Sequence, residues 1–179
     1  MQARGPLMVE HRLIERMVEI IRISLDRVET TGDIDPFLID NFADFISFYA
    51  DATHHGKEED ILFRDLSDRS LSPEDDRLMK ELMEEHLFGR KTTKALKEAN
   101  DRYRKGDDSA LGQIEDKLRN LVDFYPSHIE KEDKVFFPAS RAYFTEEEEK
   151  AMLEEFQEFD SKMIHRKYGT IVEELEAGQ

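Results

Sequence analysis

The chain has 179 residues, 39% of them hydrophobic and 38% charged, with 8 glycines, 5 prolines and no cysteine, a composition suited to one helix-rich domain over residues 1–179. Its 42 acidic and 26 basic residues leave a net charge of −16, which disfavours nucleic acid and anionic membranes as partners. Without cysteine the chain's own thiols cannot supply a disulfide, a thiolate metal site or an iron–sulfur cluster. No apolar run is long enough for a signal peptide or a membrane span, so a cytoplasmic location is expected.

Helical periodicity opens at about residue 7 and runs to 29, with a seam at His11, Ile14, Val18, Ile21, Leu25 and Val28 in steps of three and four. TTGDID at 30–35 breaks it. A second seam is expected at Leu38, Asn41, Phe45, Phe48, Ala52, His55, Glu59, Leu62 and Leu66. SDRSLSPE at 67–74 supplies a serine N-cap, Ser72, with Pro73 at the first helical position. The third helix then carries Met79, Leu82, His86, Gly89, Thr93 and Leu96 and ends at KGDD, 105–108. The fourth reads Leu111, Ile114, Leu118, Leu121, Tyr125, His128, Glu132, Val135 and Ala139. A fifth, amphipathic helix over about 145–177 starts at the capping box Thr145-x-x-Glu148 and carries Met152, Phe156, Phe159 and Met163.

Four helices of this length joined by short loops predict an all-α, up-down-up-down antiparallel four-helix bundle over about 7–140, with an additional C-terminal helix. In an antiparallel hairpin, residues at equal height lie symmetrically about the turn. Positions 11 and 55 average 33, 55 and 86 average 70.5, and 86 and 128 average 107, and all three midpoints fall in the breaks just named. His11, His55, His86 and His128 are therefore expected at one level of the core. Glu59 and Glu132 follow their histidines by one helical turn.

A single histidine on an apolar face is ordinarily a hydrogen-bonded core residue. Six ionisable groups at one level are different, because each would cost several kcal/mol if left uncompensated. A cation removes that cost, and imidazole with carboxylate is the donor set of borderline transition metals. Two His-x-x-x-Glu pairs from opposite halves of the bundle supply ligands for two ions that the carboxylates could bridge. His54, about 100° from His55 around an α-helix, is expected to be exposed or outside the ligand set, and Asp60 and Asp133 to lie off the seam.

The order His, His-x-x-x-Glu, His, His-x-x-x-Glu, with HHGKEEDILF, EHLFGR and HIEKEDKVFFP around it, resembles the hemerythrin-like (HHE) cation-binding family, in its prokaryotic branch, over about residues 8–140. The resemblance implies that His11, His55, Glu59, His86, His128 and Glu132 hold two Fe ions in a non-haem di-iron centre, with Zn or Mn as possible substitutes. It also implies a small ligand: O2, NO or peroxide. Oxygen-carrying hemerythrins have a further histidine four residues after the one on the third helix, and here that position is Arg90. Four histidines and two glutamates are closer to the iron–sulfur repair proteins of the family than to its oxygen carriers.

Three functional classes follow: a di-iron protein that binds or senses a diatomic ligand, a redox or iron-donating enzyme acting on peroxide or on damaged clusters, and a structural metal site. Gly89 either opens space beside His86 or only lets helices approach. Tyr125 either hydrogen-bonds a ligand or an exogenous oxygen or is a core residue with its hydroxyl at an edge, the second being the reading adopted, and His165 is read as a surface residue or an outer contact.

Overall fold

In a computed structural model that describes residues 3–177, the chain forms five helices and, among the described residues, no strand. These are α1 (Arg4–Thr31), α2 (36–67), α3 (Pro73–Arg104), α4 (111–140) and α5 (Glu146–Ala177). Each boundary follows from local chemistry. At the end of α1, Gly32 takes a positive φ of 69° and its N–H bonds to the Val28 carbonyl. The Asp35 side chain accepts from the Phe37 N–H ahead of α2, and Ser72 does the same for Asp75 ahead of α3, each followed by proline. Gly106, at φ 90°, turns the chain from α3 towards α4. Thr145 and Glu148 cap α5 reciprocally: the Glu148 N–H donates to Thr145 Oγ1 (3.2 Å) and the Thr145 N–H to Glu148 Oε2 (2.8 Å).

Helices α1 to α4 make the antiparallel bundle, with α3 packed on α2 and α4, and α4 on α1. The core has two apolar parts. One contains Ile14, Val18, Ile21, Leu96, Leu118 and Leu121. The other contains Leu7, Leu62, Phe63, Leu82, Phe136 and Phe137, and is closed from outside by Met152 and Phe156 of α5. Among the described residues, no helix is long and apolar enough to cross a membrane.

The first, third and fifth helices bury the expected seams, Phe159 of the fifth being half-buried. The second does not. Instead of Leu38, Asn41, Phe45, Phe48, Ala52 and Glu59, α2 buries Ile39, Phe42, Ala43, Ile46, Ala50, His54, His55 and Glu58. The backbone explains the later part of this shift. Over Phe45–His55 and Glu58–Phe63 it widens into π geometry, with i→i+5 bonds such as that from the Gly56 N–H to the Asp51 carbonyl. A π turn takes about one residue more than an α turn, so the core face advances through Ile46, Ala50, His54, Glu58 and Leu62 in steps of four. The same widening over Glu132–Phe136 in α4 leaves Val135 53% exposed and puts Phe136 in the core.

Candidate metal centre

Seven polar side chains, each 1% exposed or less, form a layer between the two apolar parts of the core: His11, His54, His55, Glu58, His86, His128 and Glu132. They fall into two groups whose donor atoms could each surround one ion: His55, His86 and His128 in one, and His11, His54, Glu58 and Glu132 in the other. The two carboxylates span both. Glu132 sets Oε2 3.1 Å from His11 Nε2 and Oε1 3.4 Å from His128 Nε2. Glu58 sets Oε1 3.5 Å from His54 Nε2 and Oε2 3.3 Å from His86 Nε2.

Four of the imidazoles use their outer nitrogen on a carboxylate. Nδ1 of His11 donates to Asp133 (2.7 Å), that of His54 to Glu10 (2.9 Å), that of His86 to Glu59 (2.6 Å) and that of His128 to Glu85 (2.8 Å). This fixes the tautomer, since the acceptor outside requires the proton on Nδ1 and leaves a lone pair on Nε2, aimed inward. Carboxylates that orient histidines in this way recur behind bound metal ions. Each is countered in turn by a cation: Asp133 by Arg12, Glu10 by the fully buried Lys57, Glu85 by Lys131, and Glu59 by Arg90 (2.7 Å). Arg90 also holds Asp51 through Nε (2.7 Å), and Asp51 stands 3.5 Å from His55 Nδ1.

The inner face lacks hydrogen bonds. Nε2 of all five histidines and both oxygens of Glu58 and Glu132 are buried with no hydrogen-bond partner within the protein. Nitrogen lone pairs and carboxylate oxygens therefore face one another, acceptor against acceptor, an arrangement that needs protons, bridging water or metal cations between them. Without metal, protons meet part of that need. Burial opposes charge on His11, but the hydrogen bond to Asp133 and the facing carboxylates of Glu132 and Glu58 outweigh it and raise its pKa to about 10. His86 is raised well above the ordinary histidine value by Glu132, Glu58 and Glu59 against the same burial. Desolvation, reinforced by His86 and His128, drives His55 the other way. Glu132 lies well below the usual carboxylate range because His128, His11 and His86 override its burial.

Of the residues expected from the sequence, His11, His55, His86, His128 and Glu132 meet in this layer. Glu59 does not: its carboxylate lies on the outer side of His86, held by Arg90. Its neighbour Glu58 occupies the inner position, and His54, expected to diverge, is inside as well, because the widened turns bring 54 and 58 onto the core face. His54 and Glu58 repeat the four-residue spacing of His55 and Glu59 one position earlier, and the HH doublet was the signal for them. His165 is exposed and takes no part. Tyr125 is buried, and burial raises its phenol pKa.

Buried, preoriented imidazoles and carboxylates of this kind form a candidate metal-binding site. No curated protein matches the chain in sequence, whereas the family described as hemerythrin HHE cation binding domain matches residues 5–140, a span that contains all seven residues. The chain therefore belongs to the hemerythrin HHE cation-binding domain family.

Proposed function

We propose that the layer holds a non-haem di-iron centre that binds or reacts with a small diatomic or peroxide ligand. His55, His86 and His128 serve one ion and His11 and His54 the other, with Glu58 and Glu132 shared. The observation that carries this reading is the set of nine inward nitrogen and oxygen atoms that have no hydrogen-bond partner. Five imidazoles with two carboxylates suit iron, and suit zinc or manganese as substitutes. A bound iron pair would supply electron transfer to, or reversible coordination of, the ligand.

The protein's own groups do the rest. The outer carboxylates aim the Nε2 atoms of His11, His54, His86 and His128 inward. The apolar layers above and below exclude water from the reacting side. His54 restores a fifth imidazole where Arg90 withholds one from α3, so a shortage of histidines no longer argues against oxygen binding. The group with His11 and His54 has one imidazole fewer than the other, so an ion held there would have a position left for an exogenous ligand.

Metal analysis of protein from an iron-replete host, with an absorption spectrum in air, tests the reading. About two irons per chain with charge-transfer bands are expected. A colourless protein carrying one zinc would overturn it.

A further inference from the structure

A cavity of about 200 Å³ opens between α2, α3 and α4 and reaches the layer at His55, with Tyr125 in its lining. Its walls include Gly89, Arg90, Lys94 and Lys97. Three of those four are cations, on a chain whose net charge is −16. The lining's acidic group, Asp51, is already held by Arg90. Lys94 has only Glu98 at 4.0 Å, and Lys97 has no ion-pair partner among the described residues. The Tyr125 hydroxyl has no hydrogen-bond partner in the protein, although the residue is only 1% exposed. The hydroxyl lines the cavity, so it can donate to an acceptor that enters from outside. Close packing does not require glycine at position 89, since a Cβ there would meet only Phe124 Cε1, at an ordinary 3.5 Å. The space beside Gly89 is therefore room within the cavity.

We infer that this cavity is a binding site for a small, singly charged inorganic anion, which accepts from Tyr125 and is drawn in by Lys94 and Lys97. The inference rests on the di-iron reading only for its biological use, because the site lies beside His55 and outside the coordination position assigned to the His11 and His54 pair. With Arg90 already paired, Lys94 and Lys97 are the charges that draw an anion towards the recess.

Bromide and xenon distinguish an anion site from an apolar gas pocket, being heavy scatterers of similar size that differ in charge. Crystals of the full-length protein as isolated, exposed to graded bromide or to pressurised xenon, give occupancy by anomalous scattering. Bromide is expected beside Tyr125, with half-occupancy shifted to about tenfold higher concentration in Lys94→Gln/Lys97→Gln, whose side chains are exposed and whose folding is not at risk. Tyr125→Phe is expected to weaken it as well. Xenon in the cavity in place of bromide, or bromide occupancy unchanged in the double variant, would overturn the proposal. The metal absorption edges of the same crystals keep the two readings apart. Bromide bound in crystals with no metal sinks only the di-iron reading, and metal present with no bromide sinks only the anion site.

Discussion

Glu58 and Glu59 are adjacent in sequence and opposite in role. Glu58 offers both oxygens to inner imidazoles, whereas Glu59 holds the outer nitrogen of His86 and is itself held by Arg90. Glu58→Ala is expected to remove a shared donor and abolish two-metal loading in elemental analysis. Glu59→Ala should retain both sites and lower metal affinity by roughly 10–100-fold, the range for orienting residues. Equal losses in the two variants would contradict the assignment. The histidines also set a pH dependence. The raised pKa of His11 stabilises the metal-free fold fully below the unfolded value of about 6.5, and that contribution is lost as pH rises towards about 10. Chemical denaturation of metal-free protein across that window should show falling stability. Metal loading at pH 7 should release protons, measurable with an indicator dye, because His11 and His86 must surrender theirs to bind.

At the scale of the helix, what could be read from the sequence depended on whether a helix kept its α period. Every seam residue read for α1 and α3 is buried, including His11 and His86, because nothing interrupts steps of three and four. The midpoint rule placed the histidine layer correctly but could not show that His54 joins His55 in it, since the midpoints of either with His11 and His86 fall in the same loops. That needed the phase of α2, and the π turns changed it between the apolar half and the site. One signal was present: Ile39, Phe42, Ala43 and Ile46 form a more apolar face than the expected one, which contained Asn41. Between the two widened segments lies the buried Lys57, which holds Glu10 of α1 and, at 2.7 Å, Asp160 of α5. Lys57→Met keeps the bulk and removes the charge, leaving Glu10 with only His54. A loss of about 3 kcal/mol is expected in denaturant titration, as for breaking one member of a buried pair. Faster amide exchange in α5 should accompany it.

Across the whole molecule, the layer of ionisable groups divides a core that would otherwise be continuous, so the stability of the fold depends on what fills it. Metal at about 1,000 times its dissociation constant adds roughly 4 kcal/mol. Chelation should therefore lower the melting temperature by about 10 °C for a chain of this size, and restored metal should recover it. A melting temperature indifferent to chelator would mean that the layer is satisfied without metal.

The bond between Lys57 and Asp160 crosses a frontier that the family itself does not mark. The matched domain ends at residue 140, and α5 lies beyond it. Yet Met152 and Phe156 of α5 pack on Leu7, Leu62 and Phe137, and Asp160 is the outermost member of a chain of contacts that runs through Lys57 and Glu10 to His54. The unit that the family matches and the unit that packs together are thus different lengths of polypeptide. Trimming the gene to the shared motif would keep all seven inner residues and lose an anchor of one of them, so the metal affinity of this member is partly written in a stretch that its kinship does not cover.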